Sequence, residues 1–325
     1  MKSKVYIYGL CDVHYDAYYI EGIKKVYGNY RFNTSKFPKL RQGAFAFIIE
    51  SEQHSKKVII DSTDKPNIEA ELLQWCDVYG KINYNQNYIP LGSAKKIIPI
   101  GPSFGIKIWN LFNASYFLLF NFLRFRKTIF NKREFIANYW RQYKRFYLKD
   151  YKPSQSSNNQ VFFMNSIWKN EKETNLNRAL FIKTCKEFEE INFEGGFAAR
   201  VNGDNLGYDS LVYSQTIPLR IYLKKIKNSM VVFNTPAVLS CHGWKLGEFL
   251  ALGKAIITTN HYNLLPAELK NNEHLVYAND ADEIRDALHK IKSNMQFKNK
   301  LESQARAYFD EYLAPHSVIE KLTSK

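Results

Sequence analysis

Residues 229–260 read SMVVFNTPAVLSCHGWKLGEFLALGKAIITTN, and the order of residue types along this run decides the fold class. Met230 to Phe233 is a short apolar, β-branched run. It enters a loop of small and polar residues that carries His242, Trp244 and Lys245, and Leu246 to Leu252 then has the spacing of an amphipathic helix. Gly253 stands where a helix end tolerates a left-handed residue, and Ala255 to Thr259 supplies a second apolar strand. In a strand–helix–strand unit the loop leaving the first strand sits at the carboxyl edge of a parallel sheet. The following helix presents unpaired N–H groups and a partial positive charge there, which suits a diphosphate.

The same rhythm extends on both sides. Val161 to Met164, Phe197 to Val201 and His274 to Tyr277 are further strand candidates, so the second half of the chain holds five strand–helix units and is expected to form a doubly wound sheet. Its first helix is placed at about Asn175 to Glu190; the next is capped by Thr216, with Pro218 in its first turn. Asp280-Ala281-Asp282 precedes a helical pattern, Glu283 to Ile291, so capping explains it better than metal binding. Leu301 to Tyr312 and Ser317 to Leu322 read as helices broken at Pro315. Lys152 to Gln160, KPSQSSNNQ, is the expected linker.

Before the linker, Val5 to Tyr8, Ala44 to Ile49, Val58 to Asp61, Cys76 to Tyr79 and Ile97 to Ile100 have the length and composition of buried parallel strands. Tyr15 to Tyr27 and Asn67 to Leu73 alternate with them as helices, which predicts an α/β layer. From Ile106 to Tyr147 the pattern turns helical and aromatic. Lys107, Asn110, Asn113 and Asn121 interrupt it, so no apolar stretch reaches the roughly 20 residues of a membrane span.

Composition narrows the function classes. A chain of 325 residues with 45% hydrophobic and 24% charged residues fits two globular domains. Four scattered cysteines without a CxxC pair suggest a reducing compartment, and the N-terminus lacks the pattern of a signal peptide; a cytoplasmic protein is expected. The net charge of +15 is concentrated between Gly101 and Asp150, where ten basic residues face only Glu134 and Asp150 among many aromatic residues. Such a surface suits an anionic membrane or a nucleic acid.

The run GWKLGEFLALGKAIITT, followed by Leu264, Leu265, Pro266 and Glu268, resembles the donor-binding segment of GT-B glycosyltransferases, especially those of bacterial surface polysaccharide biosynthesis. The resemblance implies an α/β fold of two Rossmann-like doubly wound domains facing across a cleft. Residues 1–152 would form the acceptor side, with a basic aromatic region at 106–149; residues 153–310 would bind the donor, and 311–325 would be a terminal helix returning to the first domain. It also implies a nucleotide-sugar donor, a glycan or lipid-linked acceptor, and no metal or other cofactor. Glu248 and Gly253 have the family's spacing for a carboxylate that takes the ribose hydroxyls. Ser240 stands where the retaining branch usually has a second Glu, which leaves retention and inversion both open.

The candidate residues follow from what the chemistry requires. The diphosphate needs cations and N–H donors because charge grows on it as the glycosidic bond breaks. Arg200, read as the end of a strand, Lys245 in the central loop, and Lys169 and Arg178 around the first helix start are the candidates, each alternatively a solvated surface charge. His242 either donates to a phosphate or bonds a loop carbonyl. Asn234 and Thr235 either touch ligand or cap the turn at Pro236. In the first domain, Asp12, His14 or Asp16 would serve as general base in an inverting reaction; the alternative for this loop is a helix cap. Two rival functions remain: a nucleic-acid-binding protein using the basic stretch, and a protein that binds a nucleotide sugar without turnover.

Overall fold

The computed structural model describes residues 3–324. The chain forms two compact units. One comprises Met1–Tyr151, Asn263–Ala267 and Asp310–Lys325; the other comprises Lys152–Tyr262 and Glu268–Phe309.

In the first unit β1 (Lys4–Tyr8), α1 (Ala17–Tyr27), β2 (Arg31–Asn33), β3 (Ala44–Glu50), β4 (Ser55–Asp61), α2 (Ala70–Trp75), β5 (Val78–Lys81) and β6 (Ile97–Pro99) build a six-stranded sheet of order β2-β1-β3-β4-β5-β6. The strands pair in parallel except β3, which is antiparallel to both β1 and β4. Parallel strands throughout were expected from the sequence. The turn joining β3 to β4 is closed by Ser51 N donating to the His54 carbonyl at 2.8 Å, and so short a connection permits only a hairpin. Ile7, Phe45, Phe47, Ile59 and Ile60 are buried in the sheet, and Ala17, Tyr18, Ile20 and Ile23 are buried on α1. Two more helices, α3 (Leu111–Phe125) and α4 (Lys132–Tyr143), form a hairpin whose N-termini are capped by the side chains of Asn110 and Asn131.

The second unit runs β7 (Gln160–Ser166), α5 (Lys172–Glu187), β8 (Asn192–Ala198), β9 (Val212–Tyr213), α6 (Leu219–Asn228), β10 (Val232–Asn234), α7 (Trp244–Ala251), β11 (Ile256–Thr258), β12 (Val276–Tyr277), α8 (Ala281–Ser293) and α9 (Met295–Tyr308). Two parallel three-stranded sheets, β7-β8-β9 and β10-β11-β12, meet where Met230 N donates to the Gln160 carbonyl at 2.6 Å and Phe162 N donates to Ser229 Oγ at 2.9 Å. Across the junction the strand order is therefore β9-β8-β7-β10-β11-β12. Chain direction through the sheet reverses between β7 and β10, and ligands of open α/β sheets collect at such a switch point, beyond the carboxyl ends of the strands. Beneath it Phe181 and Phe233 stack with ring centroids 4.2 Å apart.

Boundaries shift by a few residues from the sequence reading. Pro218, rather than Thr216, occupies the N-cap position of α6. Gly253 has φ +57°, the left-handed conformation that ends α7, and Asp280 accepts from Glu283 N at 2.8 Å to cap α8. Beyond α9, α10 (Pro315–Thr323) belongs to the first unit and packs on α1, where Tyr18 donates to the Leu313 carbonyl at 2.5 Å.

Candidate functional site

The site in the second unit is assembled around Arg178. Asn175, Arg178, Ile182 and Cys185 share the buried stripe of α5, so the guanidinium is carried inward rather than to solvent and is only 3% exposed. Its Nη1 donates to the Ser166 carbonyl at the end of β7 (2.8 Å) and its Nε to Thr235 Oγ1 just past β10 (3.0 Å), spanning the switch point. Burial pulls its pKa down to about 10, against the field of Glu171. Both partners are neutral oxygens. Glu171 compensates the buried cation only through space, and an anion in the crevice would add direct compensation.

Around Arg178 the crevice is polar. Asn175 clamps the loop after β7 by accepting from Trp168 N (3.0 Å) and donating to the Trp168 carbonyl (2.7 Å). Asn234 Nδ2 donates to Thr258 Oγ1 (3.0 Å) and lies 3.4 Å from His261 Nε2, while His261 Nδ1 faces the Tyr277 hydroxyl at 3.5 Å. With Nε2 accepting, Nδ1 carries the proton. Burial lowers the His261 pKa to about 4, which keeps the ring neutral. His242, itself buried, meets His261 edge to face at 5.4 Å. Gly243 is the N-cap of α7 and makes no side-chain cap bond, and the helix start carries a partial positive charge.

Lys245 and Glu248 lie one turn apart on α7, and Glu248 raises the pKa of Lys245 while burial, the larger effect, and Arg178 bring it down to about 8. The ammonium donates to the Met164 carbonyl (3.0 Å) and to the Tyr222 hydroxyl, which fastens α7 to β7 and α6. The structure thus brings together Arg178, Asn234, Thr235, His242, Lys245 and Glu248. Lys169 is exposed in the turn before α5. Arg200 does not end a strand: β8 stops at Ala198, and Arg200 lies in the following turn, bonded to the Asp204 carbonyl at 2.9 Å. His261, Thr258, Tyr277 and Asn175 escaped the sequence reading. The signal available for His261 was its position three residues past the carboxyl end of β11.

In the first unit a cavity of about 1050 Å³ is lined by Leu10, Asp12, Asp16, Phe37, Phe130 and Phe135 among others. Asp12 Oδ1 accepts from His14 N at 3.0 Å, shaping the turn before α1. Asp16 occupies the N-cap position without making a side-chain cap bond. Burial first, and then the charge of Asp12, push the Asp16 carboxyl well above the usual carboxylate range; Asp12 is also raised, mainly by burial. His14 is buried with Arg145 Nη2 3.5 Å from its Nε2, and burial followed by Arg145 and Arg141 lowers its pKa to about 4. Asp12 and Asp16 are on the cavity wall; His14 is not among its lining residues.

Solved glycosyltransferases are among the structures to which this chain is similar. The C-terminal domain of a group 1 family glycosyltransferase, LpcC from Francisella tularensis, is similar at 13% identity and a TM-score of 0.35, over 50% of this chain and 95% of that one. A glycosyltransferase from Rickettsia africae matches at 10% identity and 0.43, over 78% of this chain and 66% of that chain. Anabaena HepE, solved in complex with UDP and glucose, matches at 10% and 0.41, over 81% and 84%. No family model and no curated protein matches the sequence.

Proposed function

We propose that the protein is a glycosyltransferase that takes its sugar from a nucleotide diphosphate donor bound at the β7/β10 crevice. The observation that carries this reading is Arg178: a buried guanidinium, hydrogen-bonded among the described residues to the neutral oxygens of Ser166 and Thr235, at the sheet's switch point and within the field of Lys245 in the first turn of α7. A diphosphate there meets the cation and the helix N–H groups, which stabilise leaving-group charge where it develops. Glu248 accepts from the ribose hydroxyls, and His242, Asn234 and Thr235 border the phosphates or the sugar. Transfer goes to a hydroxyl of an acceptor held by the first unit, whose cavity offers Asp12 and Asp16. Asp12 is the better general base of the pair, since the proton stays longer on Asp16. The acceptor is a glycan or a lipid-linked glycan of surface polysaccharide biosynthesis, and the protein works on the cytoplasmic side.

Thermal stabilisation by a panel of UDP-, GDP- and dTDP-sugars, with CMP-sugars as the single-phosphate contrast, tests the reading. A ligand at 100 times its Kd adds about 2.7 kcal/mol. One diphosphate family should stabilise the wild type and leave Glu248→Ala unshifted; no shift with any donor removes the proposal.

A further inference from the structure

The helix α3 is built inside out. Asn121 is fully buried, its Nδ2 donating to the Tyr139 hydroxyl at 2.9 Å, while Phe112, Tyr116, Leu119, Phe120 and Leu123 stand on the solvent side. Their spacing of four, three, one and three residues is that of one helical face, and Phe112 and Leu119 are 79% and 60% exposed. A contiguous apolar stripe of this kind on a folded surface marks an interaction site. At the tip of the hairpin Phe130 is exposed along its whole ring.

The charges around the stripe choose the occupant. Residues 111–149 hold nine basic side chains and one acidic one, Glu134, which is paired with Arg141. On the outer side of α4, Arg133 and Lys144 flank the exposed Ile136 and Trp140, and Lys144 Nζ sits 4.3 Å from the Trp140 ring centroid. A second copy of the chain would set this net +8 against itself. A nucleic acid would satisfy the cations but leave Leu119 and Leu123 in water. An anionic bilayer satisfies both at once: the apolar stripe enters the headgroup–acyl boundary while lysine and arginine stems reach the phosphates. At 15 residues α3 is too short to cross, and among the described residues no helix is long and apolar enough to do so.

We propose that the α3–α4 hairpin seats the protein on an anionic lipid bilayer, with α3 lying in the interface. The hairpin's own Thr128, Ile129 and Phe130 form part of the cavity wall that also carries Asp12 and Asp16. Resting on the transferase reading, this makes the acceptor a lipid-borne one that reaches the cavity from the bilayer.

Co-sedimentation with phosphatidylglycerol–phosphatidylcholine vesicles and with pure phosphatidylcholine vesicles tests the docking. The wild type should partition onto the anionic vesicles, and Leu119→Ser with Leu123→Ser should weaken this by about tenfold or more, while Lys127→Glu with Lys132→Glu should weaken it at low salt and make what binding remains less dependent on salt. Both variants should keep the nucleotide-sugar thermal shift, which separates failure of docking from failure of the transferase reading. Binding to neither vesicle, anionic binding that the leucine variant leaves unchanged, a lipid-free dimer that the same variant dissolves, or retention on DNA in place of vesicles would each overturn the proposal.

Discussion

Arg178 Nε donates to the hydroxyl of Thr235 at 3.0 Å, joining a helix to a strand end 57 residues further along the chain. The bond is made with a cation that burial disfavours, and this separates two roles by experiment. If the guanidinium is there for a ligand, Arg178→Met removes a buried charge that is hydrogen-bonded to neutral oxygens. Stability without ligand then stays within about 1 kcal/mol of wild type or rises, while nucleotide-diphosphate stabilisation disappears. Denaturant titration with and without donor measures both. A loss of several kcal/mol without ligand would mean that the arginine is structural.

Acidification should act on stability with two opposed signs. His14 and His261 have folded pKa values of about 4, so below their ordinary value near 6.5 the unfolded chain takes up protons that the folded chain refuses. Stability falls across that window by on the order of 2–3 kcal/mol per histidine. Asp16 works the other way: its raised folded pKa gives stability at low pH that is lost as pH rises through that value. Thermal melts from neutral pH down to pH 4 should show a shallower decline in His261→Gln, and a steeper decline from a higher starting point in Asp16→Asn.

Lys81 and Asp61 form an ion pair of 2.9 Å with both side chains at 0% exposure, at the carboxyl ends of β5 and β4. Tyr79 donates to Asp61 Oδ2 at 2.6 Å and Thr63 Oγ1 to Oδ1 at 2.6 Å, so the carboxylate stays firmly held when its partner is removed. Lys81→Met should cost about 3–5 kcal/mol, softened by Arg41 at 3.6 Å, and adding Asp61→Asn should recover most of it. Urea midpoints of the two single variants and the double variant decide this.

Gly22 lies inside α1, where alanine would ordinarily gain about 1 kcal/mol. Here a Cβ would come within 2.2 Å of the Pro315 carbonyl oxygen, a backbone atom that cannot swing away. The clash outweighs the helix propensity. Gly22→Ala should lower the melting temperature and raise amide exchange in both α1 and α10.

Most elements were legible in the sequence because their causes are local. The alternation of apolar runs with amphipathic stretches located every strand except β2 and β9, though it placed β8 five residues late at Phe197, and Gly253 marked the end of α7 and Asp280 the start of α8. The direction of β3 was legible in principle from the short turn at residues 51–54, yet its apolar composition resembles that of the parallel strands beside it, since both kinds are buried on two faces.

By itself, then, the sequence determined most of the strands and helices, where positive charge gathers, and that a loop of small and polar residues follows β10. These depend on neighbours within a turn or two of helix or strand. Only the tertiary structure decided the strand order, the burial of Arg178, the turning of Lys245 onto a β7 carbonyl, and which face of α3 meets water. Each of those is set by a packing partner far away in the chain, and a charged or apolar side chain carries no local mark of whether such a partner will cover it.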